Sequence, residues 1–509
     1  MSEMRGDDVL RERFSHGRAR ALPVAEDRSD GAVHRTGVAA FDVLTWGPRL
    51  GGHVHCLDRY GARGLTAVTV DPSGRLVLPH THLFADDQYL PETISYARDY
   101  LPLIGFMPVA VRGIPCTERL VTQELIMADS STLEWLVAQG AHDSFEAFDP
   151  QPETDRLLDE LERRALCRGI SMKFRTLRQR EAALLGDKAQ ARLLATEQGW
   201  SGYLENQVVS LQDGGDEAWH ALRHFLHTHD GRARIKDPGG ASGVGAMRFT
   251  SRMSRRTFFD FLAREVHSEV LVIEEDFGPH LSCSVLFNVT PHGWVMTGGT
   301  RQILTRSSDG SFTEHVGNVI SAKIADLLPD SWYSHRTDAH DTVMHICAPQ
   351  LDWAVARGWD TQLGVDVMIR RSATGVNVKV AEWNVRQTGA MPGNGTRLQA
   401  NLHRTGSVVC LVNAAFHGNR TDVPSGWEEA YKRLGDLAYS PATRHGIVLN
   451  ATSMLAGEGE GEDCVRKAVL HAVGDTVDWA CHYMEAARRR LNADRMEVTG
   501  FGSRNTRKI

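Results

Sequence analysis

Between residues 365 and 386 apolar and polar positions alternate with the period of β-strands. Val365, Val367 and Ile369 interleave with Asp366, Met368 and Arg370, and Val376, Val378 and Val380 lead into Glu382, Asn384 and Arg386. Side chains two apart share a face, so Glu382, Asn384 and Arg386 point the same way. The connection contains Ala373-Thr374-Gly375. A three-residue loop closing on a left-handed glycine puts Ser372 opposite Val376 and therefore Asp366 opposite Glu382. The same patterning predicts a strand from Ala233 into Lys236, a buried strand Val270 to Ile273 ending in Glu274-Glu275-Asp276-Phe277, and a helix over Lys188 to Gln198. Asp187 is a suitable N-cap for that helix, and Gly199 sits where a helix stop is expected.

Toward the N-terminus, strand-like runs (Leu65 to Val70, Arg119 to Met127) mix with helical ones (Ser131 to Gln139, Glu153 to Leu166), which predicts an α/β domain. The charged residues 1–35 are expected to fray. From Trp427 the pattern predicts a helix, a strand over Gly446 to Ala451, a Gly/Glu-rich turn near Gly457 to Glu462, and a long helix from about Cys464 to Leu491.

A chain of 509 residues with 42% hydrophobic positions can build several cores. Lys and Arg number 57 against 64 Asp and Glu, a net charge of −7, so nothing draws the chain toward nucleic acid or anionic lipid. The eight cysteines are scattered and never form C-x-x-C, as reduced thiols in a cytoplasmic protein would be. The first twenty residues lack an apolar signal core, and the apolar stretch Tyr100 to Val111 is short and broken by Pro102 and Pro108. A cytoplasmic protein that neither spans a membrane nor binds nucleic acid is expected.

The candidate chemistry has two halves. Lys236 opens the run Asp237-Pro-Gly-Gly-Ala-Ser-Gly-Val-Gly245. Its ammonium suits phosphate oxygens, and glycines let backbone N–H groups approach an anion closely. The lysine precedes the glycines, so this is neither a Walker A loop nor a dinucleotide fingerprint. In the other half, Asp366, Glu382 and the Asn384 amide oxygen form a set of hard ligands of the kind Mg2+ prefers at a polyphosphate. Together the halves read as one MgATP site.

The order Lys188, Lys236 with its glycine loop, Glu274-Glu275, Asp366 and Glu382-x-Asn384-x-Arg386 resembles the ATP-grasp superfamily over about residues 186–404. That resemblance implies an α/β (α+β) ATP-grasp fold. An N-terminal α/β pre-ATP-grasp domain (1–185) would precede the ATP-grasp domain (186–412), with a mobile lid at about 200–269, and a mainly helical C-terminal region (413–509) would follow. It implies that Lys188 and Lys236 hold ATP phosphates beside Gly240, Ser242 and Gly243 of the loop, and that Glu274, Glu275 and Asp276 face adenosine. It further implies that Asp366, Glu382 and Asn384 bind two Mg2+ ions, with Mn2+ as a substitute, and that Arg386 with Lys236 serves catalysis by stabilising an acyl-phosphate and the later oxyanion. More loosely, the chain resembles pheganomycin-type peptide ligases, where the turn Arg386-Gln-Thr-Gly389 and Gln302 fit in outline. The spacers of Glu382-Trp-Asn-Val-Arg386 and the loop Ala390-Met-Pro-Gly393 depart from that branch.

The activity so implied is an ADP-forming carbon–nitrogen ligation of amino acids or small peptides in specialised metabolism, by a protein that self-associates as a homodimer. The alternatives are an ATP-grasp phosphotransferase acting on a small molecule and a nucleotide-binding protein without catalysis. Cys116, Arg301 and the stretch Thr388 to Asn394 are candidates for the substrate pocket. His220, His224, His227 and His229 have helical spacing but no cysteine beside them, so a hydrated helix face is the expectation. His53, His55, Cys56, His80 and His82 read as ordinary strand positions, and no G-x-S-x-G elbow is present.

Overall fold

The computed structural model describes residues 37–40, 69–70, 76–77, 82–86, 94–106, 110–114, 122–140, 144–147, 150, 152–239, 245–306, 313–372, 375–386, 388, 390–401, 408–417, 422–450 and 465–492. In the N-terminal part a parallel sheet has the order β5-β4-β1-β6-β7. Its strands are β1 (Gly37–Ala40), β4 (His82–Asp86), β5 (Ala110–Ile114), β6 (Ser144–Ala147) and β7 (Lys173–Phe174), while β2 (Thr69–Val70) and β3 (Leu76–Val77) pair apart from it. Helices α1 (Thr122–Ala128), α2 (Ser130–Gly140) and α3 (Pro152–Cys167) share a core of Ile126, Leu133, Leu136, Leu157 and Leu161. The strand expected over Arg119 to Met127 is corrected by α1, whose Ile126 belongs to this helical core.

Helices α4 (Gln179–Gly186) and α5 (Lys188–Gln198) lead into a four-stranded antiparallel sheet of order β10-β9-β11-β8. Its strands are β8 (Asn206–Ser210), β9 (Arg232–Lys236), β10 (Ala246–Thr250) and β11 (Val270–Glu275). Helices α6 (Asp216–Thr228) and α7 (Arg255–Glu265) bury Leu222, Phe225, Phe258 and Phe261 against it. The larger sheet is antiparallel, in the order β16-β15-β12-β13-β14-β17-β19-β18. It comprises β12 (Leu281–Thr290), β13 (Gly293–Arg306), β14 (Thr313–Ser321), β15 (Thr361–Ser372), β16 (Gly375–Asn384), β17 (Val408–His417), β18 (Gly446–Asn450) and β19 (Val465–Gly474). Helix α8 (Arg336–Ala356) packs Val343, Ile346 and Leu351 onto Val285, Val365, Val367 and Trp383 of one face.

Helices α9 (Met391–Asn401), α10 (Trp427–Leu434) and α11 (Val477–Leu491) complete the chain. The residue range 413–509 therefore adds strands as well as helices, and residue 412 lies inside β17. A single helix from Cys464 to Leu491 is corrected: Val465–Gly474 is a strand paired on both sides, and the helix starts after Thr476, whose hydroxyl accepts from Trp479 N at 3.2 Å. Residues 94–106 dock onto these C-terminal strands, where Tyr96 Oη donates to Leu449 O at 2.5 Å and Leu449 N donates to Tyr100 Oη at 2.8 Å.

Candidate active site

The hairpin that carries the candidate metal ligands has the expected contact but not the expected turn. Ser372 pairs with Gly375 and Arg371 with Val376, so two residues, not three, separate the strands. Strict continuation would put Asp366 opposite Ala381. A β-bulge between Asp366 and Val367 takes up one residue: Val367 pairs with Val380, and Asp366 pairs with Glu382. The bulge also changes which positions face the core. Val378 and Val380 lie in the α8-side core before it, and Trp383 and Val385 lie there after it. Glu382 and Asn384 are thereby left on the face that carries Asp366.

Ser284, directly opposite Asp366 on β12, donates its hydroxyl to Asp366 Oδ1. Asn384 Nδ2 donates to Asp366 Oδ2 at 3.2 Å, and Arg386 Nη2 donates to Asn384 Oδ1 at 3.2 Å. Lys188 opens α5, and its Nζ lies 3.0 Å from Glu382 Oε2. The helix is capped and stopped as its sequence predicts: Asp187 accepts from Gln190 N at 2.9 Å, and Gly199 adopts φ 65°. Burial and the Glu382 carboxylate push Asp366 up to about 7, against hydrogen bonds from Ser284 and Asn384. Burial would raise Glu382 too, but Lys188 and Lys236 outweigh it and hold this carboxylate below its usual range. Of the two opposed carboxylates one is ionised and the other is inclined to keep its proton; a divalent cation would take that proton's place.

Lys236 ends β9 and is buried, with Nζ 2.5 Å from Glu274 Oε1. On the same carboxylate, Arg192 Nη2 lies 3.3 Å from Oε2. Burial draws the Lys236 pKa down despite Glu274, while Lys236 and Arg192 outweigh burial at Glu274 and hold it below the usual carboxylate range. Glu274, expected to face adenosine, is engaged in this structure by Lys236 and Arg192. Strand β11 continues through Glu275, and Glu274 sits on its inner face at 1% exposure. The Glu275 amide donates to Glu205 O at 3.0 Å, and Asp276 is bound by Arg248 at 2.9 Å.

Gly240, Ser242 and Gly243 lie outside the described residues, but the neck of their loop is defined. Asp237 N donates to Gly245 O at 2.7 Å, and the buried Asp237 carboxylate accepts from Gly239 N at 3.0 Å, from His267 N at 2.9 Å and from the Ser268 hydroxyl. This anchor and Ser284 went unread in the sequence. Each depends on cross-strand register, which no local pattern encodes.

Beyond the metal row the chain folds back over the sheet. A Cβ on Gly364 would meet Thr388 Cγ2 at 2.8 Å, and one on Gly298 would meet Asn394 Oδ1 at 2.4 Å. These two glycines let Thr388 and Asn394 close over the strands beside the carboxylates. Among the described residues the hydroxyl oxygens of Thr300, which pairs with Ser284 of β12, and of Thr388 are buried without a hydrogen-bond partner. Arg301, a candidate for the pocket or for a structural role, follows Thr300 on the alternate face, where its Nη1 donates to Leu327 O at 2.8 Å.

His220, His224 and His227 lie on the exposed face of α6, and His229 stacks on Phe225 at 3.8 Å while meeting Glu205 at 2.7 Å. Among the described residues no group of three or more His, Cys, Asp or Glu side chains is placed to hold a metal ion by itself. Asp366 and Glu382 would therefore need Asn384 and oxygens of a bound phosphate to complete a coordination shell. Cys116, His53, His55, Cys56 and His80 lie outside the described residues, as does the side chain of His82. No helix among the described residues is long and apolar enough to cross a membrane.

No protein-family model matches the chain, and no curated protein matches it. Solved structures do. The biotin carboxylase domain of 2-oxoglutarate carboxylase from Hydrogenobacter thermophilus, in complex with MgADP, ADP and bicarbonate, is 10% identical with a TM-score of 0.51, covering 91% of each chain. Biotin carboxylase from Campylobacter jejuni, in complex with β-γ-ATP, is 10% identical with a TM-score of 0.52, covering 90% of this chain and 92% of that one. At this identity the likeness is one of architecture, and with the sheets and site just described it establishes that the chain has the ATP-grasp fold.

Proposed function

We propose that the protein is an ADP-forming ligase that joins a carboxylate to an amine through an acyl-phosphate, with amino acids or small peptides of specialised metabolism as substrates. The observation that carries this reading is the convergence of Lys188, Lys236 and Arg386 on the Asp366–Glu382–Asn384 cluster, at the meeting of the smaller and larger sheets. A protein that only bound nucleotide would have no use for a guanidinium at the far side of the metal ligands.

A carboxylate resists attack because oxide would have to leave. Receiving the terminal phosphoryl group of ATP gives it a good leaving group, and an amine can then form the amide as phosphate departs. Phosphoryl transfer calls mainly for positioning and charge neutralisation. Lys188 and Lys236 bind the phosphates, and Asp366, Glu382 and Asn384 are the residues that would hold Mg2+. The opposed carboxylates, with an amide beside them and a raised Asp366, fit that hard cation. When bound, the metal would neutralise phosphate charge. Arg386 would stabilise the acyl-phosphate and the oxyanion formed on amine attack. The loop carrying Gly240, Ser242 and Gly243 would offer backbone N–H groups and exclude water.

The test is hydroxylamine trapping with MgATP and a panel of amino acids and short peptides. A hydroxamate that appears with wild type and disappears with Lys236→Ala and Glu382→Ala supports the ligase. A phosphorylated acceptor with no hydroxamate would replace it with a phosphotransferase.

A further inference from the structure

Arg192 lies one turn beyond Lys188 on α5, with a side chain 1% exposed, and it touches both halves of the site. Its Nη2 donates to Ala381 O at 2.7 Å and lies 3.3 Å from Glu274 Oε2. Its guanidinium stacks 4.7 Å from the centre of the Tyr203 ring. Ala381 is the residue taken up by the bulge between Val380 and Glu382, so Arg192 grips the point where the metal strand changes phase. Tyr203 belongs to the same seam: Trp383 Nε1 donates to its hydroxyl at 3.0 Å, and Val380 N donates to Gly202 O at 2.8 Å.

Packing alone does not account for this arginine. Among the described residues its Nε and Nη1 are buried without a hydrogen-bond partner, a state that costs more than an apolar side chain of similar length would. What an apolar side chain could not supply is a second positive charge for Glu274. In the ligand-free protein Glu274 is shared by Arg192 and Lys236. If Lys236 is to reach a phosphate, it must leave a carboxylate that is itself almost fully buried, and a buried carboxylate stripped of its counter-charge is strongly unfavourable.

We propose that Arg192 is a positioning residue of the phosphate site: it retains the Glu274 carboxylate when Lys236 turns to a nucleotide, and it ties that carboxylate to the bulge that aims Glu382. The inference rests on the nucleotide reading of the site and adds to it the group that frees Lys236 for its ligand. Without Arg192, Glu274 would hold Lys236 back.

The experiment is calorimetric titration of the full chain with MgADP. Arg192→Met is expected to weaken binding about tenfold or more. The double variant Arg192→Met with Glu274→Gln is expected to recover most of that loss, because the carboxylate that captured Lys236 has been neutralised. An arginine needed only for its contacts with Ala381 O and the Tyr203 ring gives no such recovery, because Glu274→Gln restores neither. Equal losses in the single and double variants, or wild-type affinity in Arg192→Met, overturn the proposal. Should Arg192→Met fail to fold, Arg192→Lys, which keeps the charge, is expected to bind within about threefold of wild type, and a loss of about tenfold or more overturns it. Failure of the wild type itself to bind MgADP sinks the nucleotide reading, a result distinct from wild-type binding without the recovery.

Discussion

Asp366→Asn is expected to make the metal-free protein more resistant to denaturation near pH 8 and to leave it nearly unchanged near pH 5. In the wild type, burial and the facing Glu382 push Asp366 up to about 7 from an ordinary 3.8. The folded pKa lies above the unfolded one, so the folded state holds this proton more tightly. Below about pH 4 both states are protonated and the group does not affect the balance. Between about 4 and about 7 stability falls as pH rises, and above about 7 the whole penalty stands. Glu382 runs the other way. Its pKa is depressed, so its contribution is present above its unfolded value and is lost only as the pH falls toward about 2, outside this window.

The distance from 3.8 to about 7 corresponds to ~4 kcal/mol. Partial solvent access to the Asp366 side chain reduces this to ~2 kcal/mol. Asn keeps an acceptor for Ser284 but loses the fit to the Asn384 amide, a cost of ~1 kcal/mol. The net expectation is a variant about as stable as wild type near pH 5 and ~1 kcal/mol more stable near pH 8. Urea denaturation in the presence of EDTA at the two pH values measures it. Excess MgADP should then reverse the order, since only the wild type offers both carboxylates. A variant less stable than wild type at the higher pH, or a difference that does not change with pH, would refute the idea of a strained carboxylate pair.

Arg386→Ala is expected to lower hydroxamate formation about a hundredfold while changing MgADP affinity less than about threefold; equal losses in both would misplace the residue's role. Gly202→Ala, where φ is 90° and a Cβ would meet Ile346 Cγ2 at 2.4 Å, should destabilise the fold by ~2–4 kcal/mol, and a change under ~0.5 kcal/mol in a denaturation series would show the seam to be more pliable than its geometry indicates. Calorimetry should find ADP binding at least about tenfold tighter with Mg2+ than without, and Glu382→Ala should abolish that difference; ADP binding indifferent to Mg2+ would remove the metal from the site.

Local signals were legible where the chain carries both ends of an element. Helix α5 has its cap in Asp187 and its stop in Gly199, and both act as read. The Asp366–Glu382 contact was reached through a three-residue turn, whereas the protein uses a two-residue separation and a bulge. The clue is visible in retrospect: the core side chains fall on even numbers through Val376, Val378 and Val380, then on odd numbers at Trp383 and Val385. Such a phase change marks an inserted residue. Val465–Gly474 resembles a helix start by composition, yet its place between β17 and β18 makes it a strand, because tertiary pairing overrides weak local preference. Thr476 was the readable punctuation. Arg192, Ser284 and Asp237 were not legible, since each acts through a partner brought near only by the register of other strands.

Those three residues bear on how the site stays charged before any ligand arrives. Each cation that would meet phosphate already has a carboxylate: Lys188 holds Glu382, and Lys236 holds Glu274. A buried lysine left alone would shed its proton, and burial already draws Lys236 in that direction. On the proposed reading, nucleotide binding would be an exchange of partners, with both lysines turning from carboxylate to phosphate. The carboxylates they leave need new counter-charges, and the two differ in where these come from. Glu382 faces Asp366 and Asn384, a set of oxygens suited to a divalent cation. Glu274 has no such neighbours, lying on the inner face of β11 with a guanidinium within 3.3 Å. Metal for one carboxylate and arginine for the other would let both lysines be released, and the hydrogen bond from Arg192 to Ala381 O at the bulge joins the two halves.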